Sequence, residues 1–193
     1  MKRLLTILVS AISLAGCAGF LPPTHEAMLA TTAPCCESLS ALRFQDLNKG
    51  QPIRAFVGPD TPAFAFPSGK SFFLAVRPNH GGANSTLIVR TYAQNMIYNR
   101  DGHVFVPRVV FLSSRHEAIT SISPEFTVQG PKFGIGESAW RVDLPLPPQV
   151  AYVVIYTTDI ERAKTMRMRD REQYGGYLYT RTGPAGEVEV ELQ

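Results

Sequence analysis

Few residue groupings in this chain have the types and spacing that chemistry needs, and the adjacent pair Cys35-Cys36 is the most conspicuous. Two thiols side by side suggest a redox or metal role. Consecutive Cα atoms lie ~3.8 Å apart across a trans peptide, below the usual ~4.4–6.8 Å for a disulfide. A bond between them would be strained and easily reduced. A structural thiol pair, such a strained bridge, and an intermolecular or redox role all stay open. The four histidines, His25, His80, His103 and His116, show no ligand spacing with the pair, so no metal site is expected.

Other groupings are weaker. Residues 67–71 contain Gly69-Lys70-Ser71, but a phosphate loop needs glycine at position 64, which is Phe64, so a turn entering a strand is the better reading. No G-x-S-x-G elbow, zinc-protease pattern or calcium loop occurs, and no catalytic residue or cofactor is expected. Asp159 and Glu161 form a carboxylate pair that capping of a helix start explains. Five cations, Arg162, Lys164, Arg167, Arg169 and Arg171, fall within ten residues. They fit either a contact patch for lipid phosphates or an acidic partner, or a solvated face beside Glu161, Asp170 and Glu172. Trp140, with the tyrosines Tyr92, Tyr98, Tyr152, Tyr156, Tyr174, Tyr177 and Tyr179, is the candidate for stacking on a sugar ring, against the commoner fate of strand aromatics, which is burial.

The amino terminus is more explicit. Lys2 and Arg3 precede an apolar run over residues 4–14, and Leu14-Ala15-Gly16-Cys17 closes it. The run is too short to cross a ~30 Å hydrocarbon core as a stable helix, which marks a secretory leader. Its end resembles the lipobox of bacterial lipoproteins. That resemblance implies cleavage after Gly16 and lipid on Cys17, and Ala18 in the next position suggests an outer-membrane destination facing the periplasm. Several acyl chains at ~0.8 kcal/mol per buried methylene hold a protein stably. The expected organisation is therefore a leader at 1–16, a lipidated flexible tether at 17–34, and one domain at 35–193.

Composition narrows the class further. The chain has 193 residues and a formal net charge of +3. Losing Lys2 and Arg3 with the leader leaves 17 basic against 16 acidic residues, about +1. That balance, without a basic motif, argues against a nucleic-acid partner. Residues 18–34 carry Pro22-Pro23 and no sustained period, which reads as the tether. A short helix or turn is expected from 36 to 47.

Beyond it the pattern is mainly β. Strands are expected at 71–77, 86–92, 104–112, 138–144 and 150–157, with tight turns at 78–82 and 99–102. Pro107 would sit at an edge or bulge. The continuously apolar 150–157 fits a central strand covered on both faces. Thr158 and Glu161 match a capping box that opens a helix to about Met168. Residues 174–181 and 187–192 close the chain as strands, the last (EVEVEL) alternating Glu out and Val or Leu in. Short strands divided by Gly and Pro turns predict an antiparallel β-sandwich or jelly-roll-like single domain.

Four segments together resemble the MalM family, the maltose-operon periplasmic protein and its lipoprotein relatives: CCESLSALRFQDL, PAFAFPSGKSFFLAV, HVFVPRVVFLSS, and AYVVIYTT with the helix after it. The pattern spans residues 35–193. It implies a non-enzymatic, periplasm-facing protein associated with carbohydrate uptake or binding, with no catalytic residues to carry over. This chain differs in having a lipobox and in stopping soon after EVEVEL. An alternative expectation is a structural lipoprotein that docks on an envelope complex.

Overall fold

A computed structural model of the chain describes residues 23–79, 85–93, 103–129, 139–169 and 177–193. The leader, Cys17, Tyr98, Arg171, Tyr174, and most of the turns expected at 78–82 and 99–102 lie outside the described residues. Among those described, the chain is mainly β, as the punctuation of short apolar runs by turns predicts.

Two sheets face each other across the core. One has the order β1 (Gln45–Asn48), β4 (Gly69–Asn79), β11 (Tyr152–Tyr156), β7 (Arg108–Leu112) and β8 (Ala118–Ile122), with β3 (Ala63–Phe66) also pairing β4. The other runs β2 (Ile53–Val57), β14 (Gly186–Leu192), β5 (Thr86–Tyr92), β10 (Ala139–Pro145) and β9 (Thr127–Gln129). A small third sheet joins β12 (Thr165–Arg169), β13 (Tyr177–Thr182) and β6 (His103–Val104). Pairing is antiparallel except for β1 with β4 and β13 with β6.

Alternation along the strands builds the core. Phe72, Leu74 and Val76 of β4 and Val153 and Ile155 of β11 face Leu87 and Val89 of β5 and Val188, Val190 and Leu192 of β14. The intervening residues Phe73, Ala75, Val154 and Tyr156 pack on the opposite face, beneath Phe64, Phe66, Leu39 and Leu42. Strand β11 lies between β4 and β7 with both faces covered, which is why its sequence is apolar without interruption. In β14 the burial alternates strictly, and Glu187, Glu189 and Glu191 take the outer face. There they meet the guanidinium groups of Arg54 and Arg90, so the carboxylate row is neutralised within its own sheet. Gly186 opens β14 against Phe105; a Cβ at that position would lie 2.9 Å from the Phe105 amide nitrogen.

Several expectations need correction. Residues 24–34 belong to the packed body and are no loose tether. His25–Thr31 is a helix whose Thr24 side chain accepts the Ala27 N–H, and Pro34 bridges to Ala63. Seven residues are too few to hold a helix in water. Burial of Leu29 in the main core holds it, as do hydrogen bonds from Lys70 Nζ to the carbonyls of Ala30 (2.7 Å) and Thr32 (2.9 Å). The Gly69-Lys70-Ser71 start of β4 thus fastens the helix, and Gly69, at φ +115°, takes a backbone conformation that favours glycine.

The helix after Thr158 also stops early, at Arg162. The Thr182 hydroxyl lies 2.8 Å from the carbonyls of both Glu161 and Lys164, and the chain then turns into β12. The run Thr165-Met166-Arg167-Met168-Arg169 pairs with β13 as a strand. Pro107 sits at neither an edge nor a bulge: it separates β6 from β7. No helix among the described residues is long and apolar enough to cross a membrane.

Candidate functional site

Among the described residues, Glu161 is the most heavily bonded charge. Its side chain has no exposed surface, and the carboxylate accepts hydrogen bonds from Arg108 Nη2 (2.9 Å), Ser123 Oγ (2.7 Å), the Thr158 backbone N–H (3.2 Å) and the Thr158 hydroxyl. Burial pushes its pKa up, but the bonds from Arg108, Thr158 and Ser123 outweigh that and hold it down at about 2. The Glu161 half of the capping box is thereby used, and the group also ties β7 and the chain after β8 to the helix start. With its acceptor positions occupied, this carboxylate works as a structural bolt.

The residues singled out in the sequence fall in different places. Trp140 cannot present a face to a sugar, because it is 1% exposed and packed with Val104 and Val106. Its strand position turns it inward beside Thr91, the residue opposite it on β5. The basic run does not form one helical face. The Arg162 guanidinium bonds Asp159 and the carbonyls of Thr157 (3.3 Å) and Lys70 (3.4 Å), while Lys164 Nζ reaches Ser123 Oγ at 3.2 Å. Arg167 and Arg169 lie in β12, opposite Tyr179 and Tyr177.

Cys35 and Cys36 are free thiols, Cys35 exposed and Cys36 half-buried. The Cys35 N–H donates to the Ala63 carbonyl at 2.8 Å, and Cys36 Sγ donates to the Ala41 carbonyl at 3.5 Å. Partial desolvation of this exposed thiol, together with the hydrogen bond and charge of Cys36, raises the Cys35 pKa to about 11. The thiol therefore stays protonated at neutral pH, which makes it a poor nucleophile.

Two groupings were not visible in the sequence as groupings, although Tyr152 of the first was among the candidate stacking aromatics. The first is a ring cluster at the tip of the β7–β8 hairpin. The rings of Phe44 and Tyr152 have centroids 4.4 Å apart, and His116 stacks on Tyr152 at 4.4 Å and 15°. All three are partly exposed. His116 has φ +62°, in the left-handed region, within a turn closed by its N–H to the Ser113 carbonyl (2.9 Å). Such a conformation costs a non-glycine residue about 1 kcal/mol or more. A ring stack is worth about 0.5–1.5 kcal/mol, enough to offset much of that.

The second is a cleft of about 360 Å³ where the His25–Thr31 helix meets β6 and the turn from β13 to β14. Thr24, His25, Glu26, His103, Arg181 and Gly183 line it. The imidazoles of His25 and His103 stand edge to face at 5.3 Å, and Phe56 lies 6.0 Å from His25. Glu26 and Arg181 are both exposed, and neither makes an ion pair among the described residues. No group of three or more His, Cys, Asp or Glu that could hold a metal occurs among the described residues. Glu26 and His103 are 77 positions apart, so linear spacing carried no signal of their meeting.

Fold and sites together define the class as a mainly β, sandwich-like single domain with, among the described residues, a saturated buried charge and two partly open surface features. No protein-family model, curated protein or solved structure matches the chain.

Proposed function

We propose that this protein is a lipid-anchored, periplasm-facing binding protein of the MalM-like kind, non-enzymatic and associated with carbohydrate uptake at the outer membrane. The observation that carries the binding half is the partly exposed cluster of Phe44, His116 and Tyr152, since flat ring faces are what sugar rings pack against. The anchor half rests on the leader and Leu14-Ala15-Gly16-Cys17. Thr24, which caps the first described helix, is seven positions after Cys17. At ~3.6 Å per residue that span reaches at most about 25 Å. The domain would stay close to its membrane. Glu161, fully engaged, and Cys35, held protonated, suit a binding role better than a catalytic one.

Calorimetry with maltodextrins and a broad glycan panel tests the binding half. The expected result is heat of binding for at least one glycan, lowered tenfold or more by Tyr152→Ala with the melting transition retained. No heat and no thermal shift across the panel would remove carbohydrate from the proposal.

A further inference from the structure

The cleft beside the His25–Thr31 helix holds two opposite charges that do not satisfy each other. Glu26 comes from the helix and Arg181 from the end of β13, and both line one cavity without an ion pair among the described residues. A lone anion there would meet the Glu26 carboxylate, and a lone cation would meet the Arg181 guanidinium. A molecule carrying both charges a few ångströms apart would satisfy both walls. The volume of about 360 Å³ lies within the ~300–1,000 Å³ typical of small-molecule sites.

We propose that this cleft binds a zwitterion composed of a phosphate diester and a primary ammonium, the chemistry of an ethanolamine phospholipid headgroup. Arg181 takes the phosphate as a charge-assisted donor, with the imidazoles of His25 and His103 beside it, and Glu26 takes the ammonium. Gly183 leaves space beside Glu26 and His103: a Cβ built there would lie 3.8 Å from Glu26 Oε1 and 3.7 Å from His103 Cδ2. The identification of the zwitterion as a lipid headgroup rests on the anchor reading. Thr24, His25 and Glu26 are the seventh to ninth residues after Cys17, which keeps this wall within about 30 Å of the acyl attachment. Phe56, next to His25 and 42% exposed, adds an apolar ring of the kind that enters the acyl boundary of a membrane.

The test is calorimetry on the full chain in a sugar-free polyoxyethylene detergent. Glycerophosphoethanolamine is expected to bind at least tenfold more tightly than glycerophosphoglycerol, which lacks the ammonium. Arg181→Ala and Glu26→Gln should each weaken it tenfold or more with melting unchanged. Gly183→Ala should weaken it several-fold, since its methyl makes ordinary contacts in the fold yet occupies ligand space. Equal binding of the two compounds, no binding, or binding indifferent to Arg181 and Glu26 overturns the assignment. Phosphatidylethanolamine vesicles should compete with the soluble compound; failure to compete, with soluble binding intact, overturns the lipid source. The acyl mass on Cys17 is read separately: an acylated protein that binds no zwitterion rejects the cleft alone. An unacylated protein that binds it rejects the anchor and, with it, the membrane source.

Discussion

Glu161 and Glu26 are carboxylates in opposite circumstances. Glu161 is buried and receives donors from three residues, including a guanidinium, so its charge is spent inside the fold. Glu26 is exposed on a cleft that Arg181 also lines, and neither has an ion-pair partner among the described residues. A charge removed from water must be bonded within the protein, whereas a charge left at a concave surface is available to something else. Perturbation and availability therefore point in different directions here. The strongly shifted group is architecture, and the cleft is the place for a ligand.

The contrast is most easily broken at Glu161. Glu161→Ala strands Arg108, which is 23% exposed and can partly recover water, so the loss belongs at the low end for a broken buried pair, roughly 3 kcal/mol. Urea unfolding measures it, and a loss below about 1 kcal/mol would mean the carboxylate is not the bolt described. The same bonds impose a pH dependence. The folded pKa, about 2, lies below the ordinary 4.5, so the stabilisation is complete above pH 4.5 and disappears as the pH falls toward 2. Melting curves over that window should steepen for the native chain and flatten for Glu161→Gln.

Next in size is the helix that walls the cleft. Leu29→Ala should cost about 2 kcal/mol and expose the segment before residue 34 to protease. Lys70→Ala, which removes the bonds to Ala30 and Thr32, should cost about 1 kcal/mol. Unchanged protease resistance in both would show that other contacts hold the helix. The smallest expected stability effects are at the cleft itself. Glu26→Gln and Arg181→Ala should each stay within about 0.5 kcal/mol of the native chain, as substitutions at unpaired surface charges do. A larger loss at either would erase the distinction between the two carboxylates.

What could be read from the sequence follows the range of the interactions that fix each element. EVEVEL and the apolar run through Tyr152–Tyr156 declare their faces locally, and Thr158 with Glu161 declares a helix start. The helix His25–Thr31 was hidden among prolines and small residues because it is held by the distant Leu29 pocket and Lys70, with little contribution from propensity. The Met and Arg alternation of β12 was masked by its basic content, and only pairing with β13 settles it as a strand. Trp140 was an inward residue whose facing partners, Val104 and Val106, come from a different segment. Both surface groupings assemble residues far apart in the chain, and His116 adds a left-handed backbone that no composition rule announces for histidine.

The compartment, the short leash and the membrane-facing placement of the cleft all depend on acylation of Cys17. Intact-mass measurement on protein extracted from membranes tests this most directly. The predicted species begins at residue 17 and carries the added mass of its acyl chains on that cysteine. A chain retaining residues 1–16, or one whose Cys17 carries no lipid, would contradict it.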